Sequence, residues 1–172
     1  MNIWLAFPTI ASLLLGTPQL NWIPFHSRDG RFVVTMPDTP RERVKTIMTV
    51  HGPIAMHEFI ARPNGSPAGY LISYNTLSPA AARRPVDITL NGVVNGAARG
   101  IKGHVATCCR CSQQGFPGRD FTVTNAQGAL CMSHAFIANG RLYQVNVWAL
   151  DAKAITPDAT KLIGSFKLIT RR

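Results

Sequence analysis

Four cysteines, Cys108, Cys109, Cys111 and Cys131, are the side chains of this sequence best suited to chemistry. A C-C-x-C run with one distant partner is not the paired C-x-x-C knuckles of a zinc ribbon, nor the C-x-x-C redox motif. On a strand, Cys109 and Cys111 share one face and Cys108 takes the other. If 104–112, 119–124 and 129–137 form a meander, the middle strand holds Cys131 about 10 Å from the first. That exceeds the roughly 7 Å between Cα atoms that a disulfide spans. Three readings stay open: one or two disulfides, thiols packed as small apolar side chains, or metal or redox chemistry. The spacing names no metal ligand.

The histidines are His26, His51, His57, His104 and His134. None stands in H-x-x-x-H or H-E-x-x-H spacing. His57-Glu58 is a candidate acid–base or ligand pair. His104 lies close to the cysteines, and His134 follows Cys131 by three residues, but spacing alone supports no mixed Cys/His site. No nucleophile elbow, P-loop or dinucleotide fingerprint occurs. Ser27 and Ser73 have no neighbouring base in sequence, and the eight acids form no obvious catalytic pair. The sequence therefore predicts no catalytic, cofactor-binding or metal residues, and a protein that is not an enzyme.

Charge and leader indicate where such a protein works. Eighteen Lys and Arg against eight Asp and Glu give a net charge of +10, all of it at or beyond Arg28. The cations are spread over Arg28/Arg31, Arg41/Arg43/Lys45, Arg83/Arg84, Arg99/Lys102 and Arg171/Arg172. They read as a solvated surface, or as one for anionic headgroups, envelope polymers or an acidic partner. No aromatic-interleaved basic motif points to nucleic acid. Ile3 to Leu15 is mostly apolar, too short to span a bilayer and of normal length for a secretory signal. Gly16, Thr17 and Pro18 suit cleavage soon after. The expectation is a signal peptide over 1–21 and one domain over 22–172, periplasmic or secreted, with no membrane span once the leader is removed.

The elements that must position these residues follow in order. Asp29-Gly30 is a turn dipeptide, Phe32, Val34 and Met36 alternate onto one strand face, and Pro37 and Pro40 close it. Strands are expected over Val44–Val50, Ile54–Arg62 and around Tyr70, Ile72 and Tyr74, with a turn at His51-Gly52-Pro53. From Val86 to Ile101 apolar residues recur at helical steps, and Gly92, Gly96 and Gly100 on one face would allow close packing on a sheet. Strands return over His104–Ser112, Arg119–Thr124, Ala129–Ile137 and Arg141–Ala149, the last entered through an Asn139-Gly140 hairpin. Its apolar residues on both faces indicate a sheet covered on both sides. Thr156-Pro157-Asp158 opens a terminal helix, with Thr156 as N-cap. The order describes an antiparallel-rich α+β sandwich.

Four pieces, FHSRDGRFVVTMPDTP at 25–40, FPGRDF at 116–121, NGRLYQVNV at 139–147 and IGSFKL at 163–168, resemble in matching order a group of bacterial exported proteins. Within that likeness, Pro117-Gly118-Arg119 corresponds to a turn. The resemblance implies the α/β/α sandwich of the PsbP-like proteins, with a central, mainly antiparallel sheet. PsbP is the extrinsic lumenal subunit P of photosystem II. The resemblance transfers no catalytic residue, because a fold does not carry a function. The sequence thus points to an exported, non-enzymatic accessory or binding protein, acting on an envelope protein or an anionic envelope surface. The alternative is a thiol- or metal-dependent protein using Cys108, Cys109, Cys111 and Cys131.

Overall fold

The computed structural model describes residues 20–49, 52–150 and 155–169. The leader up to residue 19, His51 and the Arg171/Arg172 pair lie outside the described residues. The elements run β1 (Ile23–Ser27), β2 (Phe32–Met36), β3 (Arg41–Thr49), β4 (Gly52–Ala61), β5 (Ala68–Thr76), α1 (Pro79–Ala82), α2 (Val86–Gly100), β6 (His104–Gln113), β7 (Phe116–Thr124), β8 (Leu130–Ala138), β9 (Arg141–Ala149), α3 (Thr156–Ser165) and β10 (Lys167–Leu168). Seven strands form a sheet in the order β3-β4-β5-β9-β8-β7-β6, and β1-β2-β10 form a second, small one. Every paired neighbour is antiparallel. Among the described residues no helix is long and apolar enough to cross a membrane.

Strand alternation explains the layers. Tyr70, Ile72, Phe136, Tyr143, Val145 and Val147 face one side, where Phe32 and Met36 of β2, Leu162 of α3 and Phe166 at the end of that helix complete the larger core. The opposite face of β7 and β8 presents Phe121, Val123 and Ala135 to Leu90, Val94 and Ala98 of α2. The large sheet is therefore covered on both sides, as the two apolar faces of β9 require. Trp22 packs edge-on against Tyr70 at 5.8 Å, so the described chain is anchored one residue before β1 begins.

The Asp29-Gly30 turn forms between β1 and β2, and three other local expectations are corrected. The left-handed residue of the β1–β2 turn is Arg31, at φ 55°. Gly30 is needed instead for close approach: a Cβ there would lie 2.5 Å from the Phe32 ring and 2.7 Å from Ser27 Oγ, which accepts the Gly30 N–H. Pro117, Gly118 and Arg119 lie inside β7, and the turn is at Gln114 (φ 49°) and Gly115 (φ 86°). Gly92, Gly96 and Gly100 do not pack on the sheet, since a Cβ at any of them would meet nothing within 4 Å. Helix α3 has Ile155, not Thr156, at its N-cap. The Asn139-Gly140 hairpin forms with both residues at positive φ, 50° and 73°, as a two-residue turn between twisted strands requires.

Candidate functional site

The sheet separates the cysteines. Cys108 stands opposite Phe121 and Cys131 opposite Val123, both on the α2 face, while Cys109 stands opposite Asp120 and Cys111 opposite Gly118 on the α3 face. All four are free thiols. Burial raises the pKa of the Cys131 thiol, whose sulfur lies 3.4 Å from Ser133 Oγ.

On the α3 face, cross-strand register gathers a set that the sequence did not single out. Asp120 of β7 pairs with His134 of β8 on one side and with Cys109 of β6 on the other. His134 Nδ1 lies 2.5 Å from Asp120 Oδ1 and 3.6 Å from Cys111 Sγ. The sulfur can lean across β7 because Gly118, opposite Cys111, has no side chain; a Cβ there would lie 2.9 Å from Cys111 Sγ. His134 is buried and its Nε2 has no hydrogen-bond partner. The hydrogen bond from His134 holds the Asp120 carboxyl below the usual range against a smaller opposing effect of burial. Burial first, and the neighbouring Asp120 second, push the Cys111 thiol up to about 12.

This geometry limits the chemistry. In a thiol–imidazole–carboxylate relay the thiol and the acid address different ring nitrogens. Here both approach Nδ1, which cannot take the Cys111 proton while bonding Asp120. A thiol raised to about 12 is also a poor nucleophile at neutral pH. The three ligand atoms instead lie within 4.8 Å of one another, a compact donor set of the kind that holds a metal.

His57 and Glu58, adjacent in sequence, point to opposite faces of β4. His57 stacks on Tyr74 at 4.5 Å, with its Nδ1 3.9 Å from Glu42 Oε1. Glu58 is buried and ion-paired with Arg43 Nε at 2.6 Å and Lys45 Nζ at 2.5 Å. Burial raises its pKa, but hydrogen bonds and charge from Lys45 and Arg43 outweigh that and leave it below the ordinary value. His26 and His104 are exposed on their strands. Ser27 serves the β1–β2 turn and Ser73 is buried in the sheet.

A concavity of about 700 Å³ lies where the β1–β2 turn meets the starts of β4 and β9. Arg28, Arg31, Arg141, His57 and Tyr74 line it, with Asp29 as the one acid. Arg141 donates to the Asp29 carbonyl at 2.6 Å and lies over the Tyr74 ring at 5.1 Å, so Tyr74 is held between Arg141 and His57. Among the described residues, neither Arg28, Arg31 nor Arg141 has a salt bridge. By contrast, Arg110 and Arg119 both pair with Asp87 of α2, at 2.9 and 2.5 Å. The sequence showed Arg28 and Arg31 as one of several basic pairs. Arg141, more than a hundred residues away, joins them only through the fold.

No protein-family model matches the chain, and no curated protein matches it in sequence. Its structure is similar to the solution structure of cyanobacterial PsbP (CyanoP) from Synechocystis sp. PCC 6803. The TM-score is 0.54 at 9% identity, over 87% of this chain and 93% of that one. The fold is therefore the PsbP-like α+β sandwich with a central, mainly antiparallel sheet.

Proposed function

We propose that this protein is an exported, non-enzymatic accessory module that docks onto anionic headgroups of the cell envelope through its basic cleft. The observation that carries the reading is the cleft itself. Three arginines without carboxylate partners among the described residues surround a concavity of about 700 Å³ whose wall is the Arg141–Tyr74–His57 stack. Cations placed this way raise the local concentration of anions and favour a protruding phosphate or carboxylate group over a flat surface. Arg141 is pre-positioned by its bond to the Asp29 carbonyl, which lowers the ordering cost of binding. The non-enzymatic reading is supported by the Cys111–His134–Asp120 geometry, in which no relay runs. Export is supported by the apolar leader, and an accessory role by the fold shared with PsbP.

Co-sedimentation with phosphatidylglycerol-containing and pure phosphatidylcholine vesicles tests the proposal. Each cation near an anionic surface contributes about 1 kcal/mol. The double variant R28A/R31A should therefore bind anionic vesicles roughly 30-fold more weakly, with the loss vanishing at high salt. Equal binding to neutral vesicles, or undiminished binding by the double variant, rejects the cleft as the docking site. Specific cross-linking to an acidic envelope protein without vesicle binding would transfer the role to that partner.

A further inference from the structure

We infer that Cys111, Asp120 and His134 bind a single zinc-class divalent cation at the β6 edge of the large sheet, a site independent of the basic cleft. The three side chains come from three successive strands, and the register of β6, β7 and β8 brings one sulfur, one oxygen and one nitrogen to a common point. Around a four-coordinate zinc, with bonds of about 2.0–2.3 Å, donor atoms stand roughly 3.3–3.7 Å apart. The Cys111 Sγ to His134 Nδ1 separation of 3.6 Å already fits. The His134 Nδ1 to Asp120 Oδ1 separation, 2.5 Å, is that of a shared hydrogen. It must open by about 0.8 Å to reach the metal-bound spacing. Asp120 can make that movement, because its side chain is half-exposed while His134 is fixed in the core.

The cluster holds a carboxylate that lacks a fixed cation among the described residues. Asp120 accepts hydrogen bonds from His134 Nδ1 and from the Cys111 thiol, and no Lys or Arg pairs with it among the described residues. Its sequence neighbour Arg119 and the cross-strand Arg110 turn to the other face and are taken up by Asp87. A divalent ion would satisfy all three donors at once. On binding, the Cys111 thiol proton leaves to solvent and His134 presents the Nδ1 lone pair with its ring hydrogen on Nε2. Asp120 supplies an oxygen. Loading in this way releases one proton and turns an inert thiol into a thiolate ligand.

The surroundings fit a bound ion. Gly118 leaves the space through which Cys111 Sγ reaches His134. A groove of about 410 Å³, lined by Cys109, Asp120, Thr122 and α3 residues including Gly164, opens on the Asp120 side. It gives an entry path and room for water or Cys109 as fourth ligand. A thiolate, an imidazole and a carboxylate together select zinc over magnesium or calcium, which take oxygen ligands alone.

The test is titration of the full chain, kept reduced with a phosphine, with cobalt(II) as a spectroscopic substitute and then with zinc in competition. One equivalent of cobalt should give a thiolate-to-metal charge-transfer band and tetrahedral visible bands, both displaced by zinc. C111S should abolish the charge-transfer band, and both C111S and H134Q should bind at least about tenfold more weakly. C108S and C131S, on the opposite face, should bind as the parent does. Circular dichroism checks each fold; if H134Q does not fold, C111S on the edge strand carries the result. No metal uptake by the parent, a charge-transfer band that survives C111S, or loss of binding in C131S overturns the inference.

Discussion

The two outer edges of the large sheet carry the same backbone arrangement with different chemistry. At one, the edge strand β3 presents Arg43 opposite Glu58 of β4, with Lys45 diagonal to it two residues on. At the other, the edge strand β6 presents Cys109 opposite Asp120 of β7, with Cys111 diagonal to it. In both, a carboxylate on the second strand looks out at alternate residues of the edge. At Glu58 those residues are permanent cations, and the buried acid is closed into a pair of ion pairs. At Asp120 they are thiols, and the acid shares a hydrogen with an imidazole instead. Glu58 is thus neutralised by fixed cations of its own edge, whereas the Asp120 face of β6–β8 is rich in donors and has no Lys or Arg on its acid among the described residues.

The contrast can be tested from the largest effect downward. Removing both cations in R43A/K45A leaves a buried carboxylate unpaired. This should destabilise the protein by about 3 kcal/mol in urea unfolding, at the low end for a buried pair because water can approach where Arg43 and Lys45 stood. A loss under about 1 kcal/mol, the range of a surface pair, would mean that Glu58 is effectively solvated. At the other edge, G118A should cost about 2 kcal/mol by overpacking, because its Cβ would lie 2.7 Å from the Ala135 carbonyl and 2.9 Å from Cys111 Sγ. C111A should recover only part of that, since the carbonyl contact persists.

Acid behaviour gives the smallest and finest distinction. The folded pKa values of Glu58 and Asp120 are both lowered, so each acid stabilises fully above its unfolded pKa. Those unfolded values are about 4.3 for Glu and 3.9 for Asp. The contribution is lost as pH falls through the lowered folded pKa. Stability curves of the parent should therefore converge on those of E58Q and D120N below about pH 4. The gap at neutral pH should be wider for E58Q, whose acid is buried against two cations. A D120N gap that grows on acidification would reverse the assigned direction.

Elements governed by local rules were legible in the sequence. The alternation of Phe32, Val34 and Met36, the helical spacing of Leu90 and Val94, and the Asn139-Gly140 hairpin all depend on near neighbours, and all appear in the structure. The donor set was not legible, because it depends on register across three strands. A one-residue slip moves every side chain of a strand to the other face. Register here is set by the Gln114-Gly115 turn, while Pro117-Gly118 looked the better turn. The structure accommodates Pro117 because its pairing is with Ser112 of β6 alone, beyond the end of the β8 ladder. With the turn placed at Gln114-Gly115, counting back would have set Asp120 beside Cys109. The basic cleft was hidden for a related reason, since Arg141 reaches Asp29 only across the assembled sheets.

One edge of the sheet is closed by its own cations and the other can take a metal ion. Isothermal titration of zinc into the full-chain D120N and E58Q variants beside the parent separates the two edges. The parent should show one site, E58Q an unchanged affinity, and D120N at least about tenfold weaker binding. Equal affinities in D120N and the parent, or a loss confined to E58Q, would contradict that difference.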